Sequence, residues 1–161
     1  MKKFIYILIF TLSLCLTNNS FSAGTSNTSS DSGYTKAYNL IKSAKKYEKK
    51  GKTKKAQKKY IKAQKLLLKS NKEKPLQADT LNFLGFTTRK LGNYKKGEEF
   101  YLQGLKIDPS HIGINEYLGE LYVVTNRVQL AKERLEVLRS CGCDEFKKLK
   151  QIIDGTKTSK Y

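Results

Sequence analysis

Shifting the chain by 34 residues lays one part of it on another: Leu84 falls on Leu118, Gly85 on Gly119, Gly92 on Asn126, Tyr94 on Val128 and Gly97 on Ala131. A fixed period of this length implies a stack of like units, because one such unit cannot bury its own apolar face and must use its neighbour's. A second regularity recurs inside each unit. One small residue precedes another by 12 positions, as in Ala44 and Ala56, Gly85 and Gly97, and Gly119 and Ala131. Two antiparallel helices joined by a short turn cross near such positions, and a larger side chain at either would force their axes apart.

The apolar spacing between these points is helical. Tyr34, Ala37, Tyr38, Ile41, Ala44 and Tyr47 recur at three- and four-residue intervals, and Gly51 then offers a left-handed helix stop. Thr53 is the expected N-cap of a second helix that carries Ala56, Tyr60, Ala63, Leu66 and Leu67 to about Ser70. A spacer, Asn71 to Gln77, is expected to extend that helix before the next unit. Further helices are predicted over about 76–91, closed by Gly92, then 94–107, closed by Asp108-Pro109, then 111–124 and 128–139. Over 144–154 an apolar stripe of Phe146, Leu149, Ile152 and Ile153 follows Asp144 and Glu145, two acids suited to a helix N-terminus, and Gly155 ends it. Nothing alternates with the two-residue period of a strand, so the fold class is all-α.

Leu84-Gly85, Tyr94, Gly97, Tyr101, Leu105 and Asp108-Pro109 recur in part as Leu118-Gly119, Tyr122 and Ala131. They recur more sparsely as Tyr47, Gly51, Ala56, Tyr60 and Ala63. From Ala37 to about Glu145 this pattern resembles the tetratricopeptide-repeat family, and the chain is similar to its short exported bacterial members. The resemblance implies a domain over 34–155. Its form would be a right-handed superhelix of about three helix-turn-helix units, near 37–70, 78–111 and 112–145, with 144–154 as a capping helix and 156–161 as a tail. The last unit needs that cap because its outer apolar face has no neighbour.

Members of the family bind partners along the concave surface formed by the first helix of each pair. Register with the family then puts Lys45 and Lys49 in a groove with Asn82, Phe86, Arg89 and Lys90, followed by Glu116, Tyr117 and Glu120. Such a groove is expected to be basic at its N-terminal end and acidic at the other. The implied partner is a peptide or protein, with Asn82, Phe86 and Arg89 as its anchor. The competing reading of Phe86 packs it inward against the neighbouring pair. At the positions of the family's carboxylate clamp, which grips a peptide's terminal acid, this chain has Ile41, Lys45, Phe83, Gly113 and Tyr117, so chaperone-tail recognition is not expected.

Lys2 and Lys3 precede an apolar run from Phe4 to Leu16, and the chain turns polar and small by Ala23. This is the layout of a secretory signal peptide, 1–23, and its run of about 13 apolar residues is short of the roughly 20 that cross a bilayer. The expected location is periplasmic or secreted. A lipid-anchored alternative around Cys15 is weakened by the bulky Leu14 before it. Gly24 to Gly33, rich in Gly, Ser, Thr and Asn, reads as a flexible linker.

Removing the signal takes the net charge only from +18 to +16, and the excess is local: 16 lysines lie between Tyr34 and Pro75 against Glu48 and Glu73. A second functional reading follows, in which a lysine-rich module docks on anionic membrane or polysaccharide. Nucleic acid fits less well, since lysine outnumbers arginine 28 to 4 and arginine makes the bidentate phosphate and base contacts. The bland reading is that Lys54, Lys55, Lys58, Lys59, Lys62 and Lys65 are simply a solvated helix face.

Cys141 and Cys143 flank one glycine, open to a disulfide, to two quiet thiols or to a redox-active pair. No metal site is expected of them, because His111 is the single histidine and lies far off in sequence. His111 itself is expected as an exposed first-turn residue. There is no nucleophile elbow, no glycine-rich phosphate loop and no credible acid/base carboxylate pair, which argues against an enzyme and implies no cofactor.

Overall fold

The computed structural model describes residues 29–159. The expected signal segment 1–23, the first half of the expected linker and the last two residues of the tail lie outside them. Seven helices follow one another: α1 (Ser29–Lys49), α2 (Thr53–Glu73), α3 (Ala78–Lys90), α4 (Tyr94–Ile107), α5 (Ile112–Val124), α6 (Val128–Val137) and α7 (Asp144–Ile153). No strand occurs among the described residues, and none of these helices is long and apolar enough to cross a membrane. α1 pairs with α2, α3 with α4 and α5 with α6, and α7 lies against α5.

Three turns explain why the pairs look alike. The amides of Lys52, Asn93 and Arg127 donate to the carbonyls of Tyr47, Thr88 and Tyr122, five residues back, at 2.9, 3.1 and 2.7 Å. This closure needs a left-handed residue just before the donor, supplied by Gly51 (φ 68°), Gly92 (φ 92°) and Asn126 (φ 58°). Asparagine tolerates that region better than most side chains, which is why it can stand 34 residues after a glycine. Each donor is also the N-cap of the following helix. The turn is therefore so tight that Lys52, not the expected Thr53, caps α2, and Thr53 becomes its first helical residue without a capping side-chain bond.

The small residues sit at the helix crossings. A Cβ built on Gly97 would lie 3.1 Å from the Gly85 carbonyl oxygen, and one on Gly85 would lie 2.5 Å from the ring of the fully buried Tyr101. One on Gly119 would lie 2.5 Å from Leu149, the residue by which α7 covers the last pair. Ala44, Ala56 and Ala131 are buried in the same manner. Two apolar clusters result, one around Ile41, Tyr60, Leu67 and Phe86, the other around Tyr101, Ile114, Leu118 and Leu121, and Tyr117 packs against both.

α1 begins at Ser29, so the expected linker is helical over its second half. Gly33 lies beside Leu66 and Ser70 of α2, where even a Cβ would make only ordinary contacts of 3.9 and 4.0 Å. His111 differs from expectation as well. It is the N-cap of α5, where Nδ1 accepts from the Ile114 amide at 3.2 Å and Nε2 lies 3.2 Å from Asp79, so its side chain is only 14% exposed.

Candidate functional site

α1, α3, α5 and α7 wall a cavity of about 570 Å³. Each helix contributes residues one turn apart, which share a face. α1 gives Lys45, Glu48 and Lys49, α3 gives Phe86 and Lys90, α5 gives Glu116, Tyr117 and Glu120, and α7 gives Lys148 and Ile152. Thr53 at the first turn and Lys157 and Thr158 beyond α7 close its ends.

Its floor is aromatic. The Phe86 and Tyr117 rings meet at 5.0 Å, and Tyr60 backs Phe86 edge-on at 5.8 Å. Lys45 lies on this floor with Nζ 4.4 Å from the Phe86 centroid and 5.2 Å from that of Tyr117, donating to the Tyr117 hydroxyl at 2.9 Å. Ring faces attract a cation but replace water poorly, so burial lowers the pKa of the Lys45 ammonium despite the pull of Glu116 and Glu120.

The carboxylates of the cavity are already engaged. Glu48 accepts from Tyr60 at 2.8 Å and pairs with Lys90 at 2.7 Å. Glu120 pairs with Arg89 at 3.0 Å, and Arg89 also donates to the Tyr117 carbonyl at 2.6 Å. Glu116 is nearly buried and has Lys148 at 3.6 Å. Burial, with Glu120 one turn away, pushes its pKa up to about 7. Among the described residues no carboxylate lies within 4.0 Å of Lys45, Lys49 or Lys157. The cavity consequently carries a surplus of positive charge over an apolar floor.

Seven of the nine residues expected in the groove come together here: Lys45, Lys49, Phe86, Lys90, Glu116, Tyr117 and Glu120. Asn82 and Arg89 do not. Asn82 is buried at the seam between α3 and α5, where its amide nitrogen lies 2.7 Å from a Cβ built on Gly113, and the Arg89 side chain is fully enclosed with Glu120. Of the expected anchor residues Asn82, Phe86 and Arg89, only Phe86 lines the cavity, beside Tyr117 and Lys45. Both readings of Phe86 describe part of its position, since its ring is 1% exposed in the core and turns one face to Lys45. The expected gradient from basic to acidic is also corrected: Glu48 sits at the lysine end, Lys148 stands beside Glu116, and Lys157 joins the same lining. Of the clamp positions, Ile41 is in the core, Phe83 packs between Tyr34 and Tyr38, and Gly113 faces Asn82.

Glu48 was visible as the residue three after Lys45 on the same face, but Lys148, Ile152 and Lys157 come from the capping element, which the family register treats as cover. Cys141 and Cys143 form a disulfide in the loop before α7, outside the cavity. No group of three or more His, Cys, Asp or Glu among the described residues is placed to hold a metal.

Residues 78–111, comprising α3, α4 and the turn after them, match the sequence profile of the tetratricopeptide repeat. The fold around them is shared with the first TPR domain of Spaghetti (RPAP3), solved with the HSP90 peptide SRMEEVD. The two agree with a TM-score of 0.54 over 78% of this chain and 96% of that one, at 19% identity. Residues 78–111 carry a tetratricopeptide repeat. No curated protein sequence matches the chain. The first helices of the three pairs, α1, α3 and α5, wall the cavity together with α7.

Proposed function

We propose that the cavity receives a segment of a partner protein, whose acidic side chain reaches Lys49 and Lys157 while its apolar part lies on Tyr117, which Phe86 backs. The observation that carries this reading is the set of lysines without a carboxylate partner over an aromatic floor. A carboxylate entering from water gains charge-assisted hydrogen bonds there, and the apolar floor adds contact area. That a solved protein of the same fold holds a peptide supports the mode. The reading is one of binding, not catalysis, since the titratable groups of the cavity are tied to one another instead of being aimed at a reacting centre.

The test uses fluorescein-labelled decapeptides built around Glu-Leu-Glu or around Lys-Leu-Lys. Acidic peptides are expected to bind and to weaken at high salt, and K49E/K157E should cost at least about tenfold in affinity. Equal binding of basic peptides, or an unaffected variant, refutes the reading. The proposal places this binding in a bacterial envelope or outside the cell, supported by the Lys2 to Ala23 pattern. Amino-terminal sequencing of the native protein should begin near Gly24, and a mature chain still starting at Met1 would remove that part of it.

A further inference from the structure

We propose that α2 docks the protein on an anionic lipid bilayer, lysine stripe inward, leaving the groove free. The helix carries eight lysines, and Glu73 is its single acid. Lys54, Lys58, Lys62 and Lys65 are all exposed and follow one side of the helix, opposite the buried Ala56, Tyr60, Ala63 and Leu67. None of the four has a carboxylate within 4.0 Å among the described residues, where the one ion pair within α2 is Lys69 with Glu73 at 3.7 Å. From Lys54 to Lys72 the stripe runs about 27 Å at the helical rise, enough to meet several headgroups at once.

Charge alone would suit any polyanion. The second observation is apolar: Ile61 and Leu68, 42% and 48% exposed, stand two turns apart along the edge of the stripe. Each is followed one turn later by a lysine, Lys65 or Lys72. An apolar side chain beside a long cationic one is the arrangement that seats at a headgroup boundary, the first entering acyl chains while the second reaches back to phosphate. A soluble polysaccharide offers these two residues no apolar phase. Access is open as well, because the cavity is walled by α1, α3, α5 and α7 and takes only Thr53 from α2.

The experiment is co-sedimentation of the full chain with vesicles of phosphatidylcholine containing 30% phosphatidylglycerol, and with phosphatidylcholine alone, over 50 to 500 mM salt. Binding is expected only with the anionic vesicles and is expected to fall steeply with salt. Each lysine near such a surface contributes about fivefold, so K54Q/K58Q/K62Q/K65Q should weaken it by at least about 100-fold. I61S/L68S should weaken vesicle binding several-fold and leave retention on dextran sulfate unchanged. Far-UV circular dichroism of both variants should match the parent, since every substituted residue is exposed. Binding that ignores salt, equal uptake by neutral vesicles, or an undiminished lysine variant overturns the proposal. Dextran sulfate retention without vesicle binding overturns it too, and assigns the stripe to a soluble polyanion.

Discussion

Gly85→Ala should destabilise the array although alanine is the better helix former. In the interior of α3 the exchange gains about 1 kcal/mol of helix propensity. Against this, the new Cβ would lie 2.5, 2.6 and 2.9 Å from Cε1, Cδ1 and Cζ of Tyr101. Carbon atoms pack at about 3.5–4.0 Å, so the α3–α4 crossing must open by about 1 Å. The ring is rigid and wholly buried, so no rotamer change can relieve the clash. Overpacking of this kind costs about 1–3 kcal/mol, and a clash with a ring that cannot move lies toward the upper end, which leaves a net loss of up to about 2 kcal/mol and lowers Tm by up to roughly 10 °C. Urea unfolding followed by circular dichroism measures it, as a lower midpoint at unchanged slope. The cause is isolated by Tyr101→Leu, which fills the site with a chain that can swing aside. In that background Gly85→Ala should cost little or nothing. A neutral or stabilising Gly85→Ala in the parent, or an equal cost in both backgrounds, would refute the account of the glycine as a spacer.

Glu120→Ala should cost about 3–5 kcal/mol in chemical unfolding, because it takes away the carboxylate that faces the enclosed Arg89. The double variant R89M/E120Q should cost less than Glu120→Ala alone, and the reverse order would show that the pair stabilises by more than mutual neutralisation. Glu116 has a folded-state pKa near 7, above the ordinary 4.5, so the folded protein holds its proton longer than the unfolded chain does. Its contribution is therefore neutral below about pH 4.5, turns unfavourable as pH rises through the window to 7, and reaches about 3 kcal/mol at most above it. Glu116→Gln should flatten the stability profile between pH 5 and 8 in thermal melts, and an unchanged slope would assign the titration elsewhere.

The pairing of helices was legible because the residues that close each pair are near in sequence: a small residue at each crossing and a left-handed stop, Gly51, Gly92 or Asn126, four residues after Tyr47, Thr88 or Tyr122. The capping of α2 was not. Thr53 is a good N-cap in isolation, and only the backbone bond from Lys52 to Tyr47 shows that the turn is already complete one residue earlier. In the site, register told which side chains leave the inner face of α1, α3 and α5, but not how deep they lie. Asn82 and Phe86 occupy one face a turn apart, yet the first is trapped by Gly113 and the second meets Lys45. Arg89 is long enough to have reached water, and the distance from α3 to α5 decides that it reaches Glu120 instead. Lys148 and Lys157 depended on how α7 folds back over α5, which no repeat predicts.

Tyr117 belongs to both apolar clusters, offers its hydroxyl to Lys45 and gives its carbonyl to Arg89. In a linear array stability is a sum of units and of the joints between them, and a single residue that serves as the joint sets whether the halves melt together or apart. That joint is also the floor on which a guest would rest. Whatever occupies the cavity will therefore clamp the second pair to the third, so that occupancy should register as a gain in the cooperativity of the whole array, read by hydrogen exchange in α4 and α6, which do not line the cavity.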